Sequence, residues 1–224
     1  MSKPADPRPA QRDFAYHELR ERLILQQIPE GQRLSEPGWA RELGVSRTAV
    51  REVLARLEAE RLIDRGPTTG YVAPTLTPRD VREVLDVRVA LEAAAIDRAC
   101  ELDRTDDDAL APLHEAIDQQ RGFIDEGYRL GASEADRRFH RRLVELGDNR
   151  RLLDMYDRAP LPLVHRLILP PGTISTRPVE EHADIVKAIA RGNADEARGL
   201  LRQHLQAALA DVPQPASSTS SRPV

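Results

Sequence analysis

The chain has one cysteine, Cys100, and two lysines, Lys3 and Lys187, among its 224 residues. A lone cysteine closes no disulfide within the chain and excludes zinc modules built on paired thiolates. Aromatic residues make up only 4%, so any core must be aliphatic. No run of ~18 apolar residues occurs, which excludes a membrane-spanning helix of ordinary length. The opening Met1-Ser2-Lys3-Pro4-Ala5-Asp6-Pro7 has no apolar stretch behind its lysine and does not read as a secretory signal. A soluble cytoplasmic protein with no membrane partner is the expectation.

Hydrophobic residues, at 40%, are abundant enough to build a core and exclude a wholly disordered chain. The formal charge of −4 hides an asymmetry: residues 1–75 carry 12 basic and 11 acidic side chains, residues 76–224 carry 21 and 26. Only the first third is mildly basic, so contact with a polyanion is expected to be local to it. Nearly all the basic residues are arginines, whose planar fork suits phosphates, carboxylates and guanine edges; a codon-level bias towards arginine would produce the same count.

Pattern divides the chain into four stretches. Residues 1–11 and 213–224, rich in proline or serine, read as disordered tails. Residues 12–75 begin with a helix over 12–28, broken by Pro29-Glu30-Gly31. A short helix over 36–43 ends at Gly44, and Ser46 caps a second helix reaching about Glu60. Two extended pieces follow, Leu62–Arg65 and Gly70–Ala73, joined by a loop of hairpin composition. Residues 76–212 read as helices at 78–101, 105–126, 133–147, 149–169, 178–191 and 194–211, the fourth kinked or split at Pro160 and Pro162. The fold class expected is mostly α, a helix-turn-helix with a wing followed by an all-helical bundle.

On a helical wheel the second helix of the pair turns Val50, Val53, Leu54 and Leu57 to one side, and Arg47, Thr48, Arg51 and Ala55 to the other. That second face has what a major groove requires: forks for guanine and phosphate, a hydroxyl, and no bulk. A solvated amphipathic helix shows the same pattern. The wording of the segment goes further. Leu34-Ser35-Glu36, then the run from Ala40 through Leu54, then Leu57-Glu58-Ala59-Glu60-Arg61-Leu62-Ile63 closely resembles the winged helix-turn-helix of GntR-type bacterial transcription regulators. The resemblance implies that Ser46, Arg47, Thr48 and Arg51 contact operator DNA and that Gly70 lies at the wing tip. Three positions depart from the pattern: Trp39 for a usual leucine, Pro37 where a DNA-contacting arginine is often found, and Arg61 for a usual glycine.

In the helical half, Asp136 and His140 share the apolar stripe of Phe139, Leu143 and Leu146; His182 shares that of Ile185, Val186 and Ile189; His204 shares that of Ala197, Leu200, Leu201 and Ala208. A charged aspartate facing a core is costly unless paired. One carboxylate and three imidazoles from three helices can hold a divalent cation with a position left open; taken singly, each histidine could equally be a satisfied core residue. Asp136-Arg137-Arg138-Phe139-His140-Arg141-Arg142-Leu143, Glu181-His182-Ala183-Asp184-Ile185 and the spacing of Ala197 to His204 resemble the FCD effector domain of the FadR-like subgroup of these regulators. In metal-containing members the corresponding residues are ligands, which assigns that role to Asp136, His140, His182 and His204. Zinc and nickel both suit such a site.

Arg88 and Glu92 interrupt the apolar face of the helix 78–101. They form either a buried pair that supports the bundle or a site where Arg88 holds the carboxylate of an effector. The composite expectation is a non-enzymatic homodimeric regulator, usually a repressor in such a family, that binds a divalent metal and a small organic acid. A metal-dependent hydrolase fused to a DNA-binding module and a regulator with a purely structural metal are the alternatives. Arg47→Ala and Arg51→Ala are each expected to weaken specific DNA binding by about 1–3 kcal/mol; unchanged gel-shift affinity rejects the recognition-face assignment.

Overall fold

A computed structural model describes residues 7–68, 70–75, 77–158 and 175–210. Among them, nine helices and one small sheet are arranged around separate N-terminal and C-terminal cores. The first helix, α1 (Pro7–Ile24), starts inside the stretch expected to be a tail. Its prolines, Pro7 and Pro9, fall in the first turn, where backbone N–H groups have no intrahelical acceptor and proline is tolerated. Strand β1 (Arg33–Leu34) leads into α2 (Glu36–Leu43), capped by the Ser35 hydroxyl, which accepts from the Gly38 amide at 3.2 Å. Pro37 also sits in a first turn. Gly44 ends α2 with a φ of +66°, the left-handed conformation that makes the tight turn into the next helix. Helix α3 (Arg47–Ala59) is capped by Ser46, whose hydroxyl accepts from the Ala49 amide.

Strands β2 (Asp64–Arg65) and β3 (Tyr71–Val72) form the wing, and β1 joins them, giving an antiparallel sheet in the order β1-β3-β2. Arg33 pairs with Val72 and Leu34 with Tyr71 across one edge; Asp64 pairs with Val72 and Arg65 with Tyr71 across the other. The sequence offers no alternation for β1, which is two residues long. Leu19, Leu23, Leu34, Val50, Leu54, Leu57 and Leu62 are buried in the core beneath. Trp39 joins them, and the Arg22 guanidinium lies 5.5 Å from its ring centroid. The scaffold accommodates this large side chain within its apolar cluster, with a cation against the ring.

The remaining helices are α4 (Pro78–Glu101), α5 (Asp107–Asp125), α6 (Arg129–Leu146), α7 (Arg150–Asp157), α8 (Arg177–Ala190) and α9 (Ala194–Ala210). Thr77 begins α4 with a reciprocal capping box: its hydroxyl accepts from the Asp80 amide, and its own amide donates to the Asp80 carboxylate at 2.7 Å. Helix α6 starts four residues before the expected 133 and runs through Gly131. The glycine is needed for contact rather than for a break, since a Cβ there would collide with the Phe123 and Tyr128 rings. Asn149 caps α7 through hydrogen bonds from the Arg151 and Leu152 amides. Pro160 and Pro162, with the kink expected there, lie outside the described residues, as do residues 1–6 and 211–224. Helices α4, α5, α6, α8 and α9 enclose one aliphatic core around Leu85, Ile96, Leu113, Phe139, Leu143, Ile185, Ile189 and Leu201.

Arg61, the residue standing at a usual glycine, has a φ of +56°. An L side chain in that region costs roughly 1–2 kcal/mol, which explains the preference for glycine. Arg61→Gly is therefore expected to stabilise the N-terminal unit by about 1 kcal/mol, read as a rise in its thermal midpoint; a fall would show that the Arg61 side chain contributes more than the strain it causes.

Candidate functional site

Four polar side chains meet in the C-terminal core. Asp136 and His140 come from α6, one turn apart; His182 comes from α8 and His204 from α9. One donor atom from each lies within 4.8 Å of every other. The Nε2 atoms of the histidines form a near-equilateral triangle: 3.2 Å from His140 to His204, 3.2 Å from His182 to His140, and 3.3 Å from His182 to His204. Asp136 places Oδ1 3.5 Å from His182 Nε2 and Oδ2 3.8 Å from His140 Nε2. The His140 and His182 side chains are fully buried.

The other nitrogen of each ring is held by its own partner. His140 Nδ1 donates to Glu92 Oε2 of α4 at 2.8 Å, and His204 Nδ1 donates to Glu181 Oε2 of α8 at 2.6 Å. His182 Nδ1 stands 3.0 Å from Gln120 Oε1 of α5. The orientation of that amide is fixed because Gln120 Nε2 donates to Asp136 Oδ1 at 3.2 Å. Three acceptors therefore place the proton of each neutral ring on Nδ1, so that three Nε2 lone pairs face one another. Burial lowers the pKa of His140, and the nearby Arg88 cation lowers it further, while Glu92 opposes both. Burial also drives His182 well below the ordinary imidazole range, with His204 adding to the effect. Protonating His140 or His182 is thus a poor remedy for the crowded lone pairs.

This arrangement fits a metal ion. Nitrogens about 2.0–2.1 Å from a common tetrahedral zinc stand roughly 3.3–3.4 Å apart, close to the edges of the observed triangle. The surrounding charge also suits a dication: Asp136, Glu92 and Glu181 contribute three carboxylates against one buried guanidinium among the described residues, that of Arg88. Hydrogen-bonded acceptors behind the ring N–H groups are the usual way of orienting imidazole ligands.

Arg88 and Glu92 face inward together, 3% and 0% exposed, with Arg88 Nε donating to Glu92 Oε1 at 2.8 Å. Burial alone would raise the Glu92 carboxyl, but the Arg88 cation and His140 hold it below its ordinary value. Glu92 thus serves both the guanidinium and the imidazole. Among the described residues, neither Arg88 Nη2 nor the Tyr156 hydroxyl of α7 has a hydrogen-bond partner; both atoms are buried. Burial raises the Tyr156 phenol, and the Arg88 cation acts against that rise, which places the two groups in one electrostatic neighbourhood.

Sequence reading found the inner residues and Arg88 with Glu92, but missed three. Gln120 continues the buried run of Leu113, Ala116 and Ile117 on α5, a legible signal. Glu181, next to His182 in sequence, points about 100° away from it on the helix and reaches His204 instead. Tyr156 follows an arginine-rich turn with no pattern to mark it.

In the N-terminal unit, Ser46, Arg47, Thr48, Arg51 and Ala55 are all exposed, while Ala49, Val50, Val53 and Leu54 are buried. The Ser46 hydroxyl is engaged as the cap of α3. Gly70 has a φ of +85°, and its carbonyl accepts from the Gly66 amide at 3.0 Å, closing the wing loop. Arg51 makes a two-pronged ion pair with Glu36.

Comparison with known proteins matches residues 11–72 to the bacterial regulatory proteins of the gntR family and residues 83–207 to the FCD domain. The chain belongs to the GntR family, in its FCD-domain branch. An HTH-type transcriptional regulator from the TAR-I ttuE-ttuC' intergenic region of Agrobacterium vitis is 34% identical over 131 residues, covering 58% of this chain and 77% of that one. The HTH-type transcriptional repressor RspR of Escherichia coli strain K12 is 26% identical over 197 residues, covering 85% and 84%. The crystal structure of a GntR regulator from Rhodococcus sp. RHA1 superposes with a TM-score of 0.70 at 26% identity, covering 90% of this chain and 96% of that one. This GntR-family protein is a DNA-binding transcription regulator and not an enzyme.

Removing one member of a buried ion pair leaves an uncompensated charge and costs about 3–5 kcal/mol. Glu92→Ala is expected to destabilise the C-terminal unit by about that amount in urea unfolding. A change below about 1 kcal/mol would place Arg88 outside the charge balance described, since an exposed pair contributes no more than that.

Proposed function

We propose that this regulator holds a divalent metal, zinc or nickel, on Asp136, His140, His182 and His204 and senses a small carboxylate-containing effector beside it. The observation that carries the reading is the convergence of three Nε2 atoms at 3.2–3.3 Å while every Nδ1 is committed elsewhere. When bound, the ion supplies a Lewis-acidic site for an anionic ligand. The chain's own residues do the rest. Glu92, Gln120 and Glu181 orient the rings. Arg88 Nη2 and the Tyr156 hydroxyl supply buried donors that lack partners among the described residues. A buried donor left unpaired costs about 1–3 kcal/mol, and an effector carboxylate would satisfy both. This favours sensing over a purely structural metal. The engagement of Glu181 with His204 leaves the hydrolase alternative without the general base nearest the cluster.

The effector draws α4, α6 and α7 together and alters operator affinity through a coupling of ~1–3 kcal/mol. Ser46, Arg47, Thr48 and Arg51 approach the major groove, with Gly70 at the backbone. The protein acts as a homodimer, because one such helix reads only a half-site and a two-fold pair doubles it. Repression released by the ligand is the mode we favour, supported by the name of the relative RspR. A cytoplasmic location follows from operator binding.

The double substitution His182→Ala with His204→Ala is expected to reduce bound metal from one equivalent to none by elemental analysis. Retention of a full equivalent rejects the ligand set. Arg88→Ala is expected to keep the metal but to lose the thermal shift given by whichever hydroxy, sugar or dicarboxylic acid stabilises the metal-loaded parent. An undiminished shift returns Arg88 to a supporting role with Glu92.

A further inference from the structure

The recognition face has an unusual asymmetry. Arg51 has a side chain 62% exposed, yet its guanidinium is already engaged within the protein. Its Nε donates to Glu36 Oε1 at 3.0 Å and its Nη2 donates to Glu36 Oε2 at 2.9 Å. Glu36 is the first residue of α2 and Arg51 lies in the second turn of α3, so the pair crosses the turn of the helix-turn-helix. Both helices are capped, by Ser35 and Ser46, which fixes the backbone on each side. The Glu36 side chain is 26% exposed, so the carboxylate is the more enclosed partner.

The chemistry of the fork gives this pairing a direction. A guanidinium has five N–H groups on three edges. Glu36 occupies the edge formed by Nε and Nη2. The edge formed by Nη1 and Nη2 points away from the carboxylate and is open among the described residues. That open edge has the spacing of guanine O6 and N7, the commonest specific contact in the major groove. A fork whose plane is already set loses less rotamer freedom on docking than a freely moving arginine. It also presents its donors in only one orientation, so a base that offers a donor in the same place is rejected. The carboxylate would repel phosphate if left bare, and its pairing with Arg51 removes that penalty.

We propose that Glu36 is a positioning residue for sequence readout: it clamps the Arg51 fork so that the Nη1/Nη2 edge reads a guanine, and it contributes to discrimination rather than to overall affinity. The inference rests on the assignment of Arg51 to the DNA face. It also gives a role to a residue beside Pro37, the position at which this chain has no arginine to share the readout.

The test starts with duplexes selected from a randomised pool by the parent protein. Parent, Glu36→Ala, Glu36→Gln, Arg51→Ala and the Glu36→Ala/Arg51→Ala double variant are then titrated with the selected duplex and with unselected duplex at one fixed salt concentration. Thermal melts check that each variant is folded. Glu36→Ala is expected to reduce the ratio of selected to unselected affinity about tenfold, within the range for one lost base contact, while affinity for unselected DNA holds or rises. Glu36→Gln, with a single acceptor oxygen, is expected to fall between. In the Arg51→Ala background, Glu36→Ala is expected to change the ratio no further. Equal loss in both backgrounds would show that Glu36 does not act through Arg51. Tighter binding to the selected duplex by Glu36→Ala would make the carboxylate a competitor of DNA, and an unchanged ratio would make the pair irrelevant to readout; each overturns the proposal. If Arg51→Ala alone leaves the ratio unchanged, the assignment of Arg51 to the DNA face fails first and takes this inference with it.

Discussion

Three imidazole lone pairs point at one another in the C-terminal half, an arrangement that a positive charge between them would relieve. Each ring is turned by a different helix's acceptor: Glu92 of α4, Gln120 of α5 and Glu181 of α8. Asp136 closes the set and is itself tied to α5 through Gln120. Five helices therefore contribute to one small polar volume inside an otherwise aliphatic core. A cation in that volume would link all five, and its binding energy would add to the folding energy of the bundle.

The same cluster leads outward. Glu92 joins the imidazole of His140 to the guanidinium of Arg88, which is buried near the Tyr156 hydroxyl. Helix α6 carries Asp136 and His140 on its inner face and Glu134 on another. The Glu134 carboxylate accepts a 2.7 Å hydrogen bond from Arg20 of α1, the first helix of the DNA-binding unit. Arg20 and Arg137 hold that carboxyl below its ordinary value against the opposing effect of burial. The helix that supplies two of the inner residues is thus physically joined to the DNA-binding unit.

Much of this was legible in the sequence because the signals were periodic. Val50, Val53, Leu54 and Leu57 fixed which face of α3 is buried, and hence that Arg47, Thr48 and Arg51 are exposed. Asp136, His140, His182 and His204 stood out as polar residues on apolar stripes, and Arg88 with Glu92 likewise. What stayed hidden depends on tertiary contact. Gln120 is ordinary on a helix until two partners claim it, and Glu181 acts across to α9 rather than along its own helix. Strand β1 is defined by pairing with β3 and not by its own two residues. Helix α6 begins before Gly131, where the Phe123 and Tyr128 rings leave no room for a Cβ, a contact that composition does not reveal. The engagement of Arg51 by Glu36 joins separate helices across a turn, so neither helix's wheel reveals it.

The central claim concerns where three protons sit, and imidazole nitrogen NMR reads that directly. Long-range proton–nitrogen spectra of the full chain, recorded before and after one equivalent of zinc, should show His140, His182 and His204 all with the proton on Nδ1, and all three Nε2 resonances should move on metal addition. A proton on Nε2 of any of the three in the zinc-treated protein, or Nε2 resonances that ignore the metal, would contradict the account.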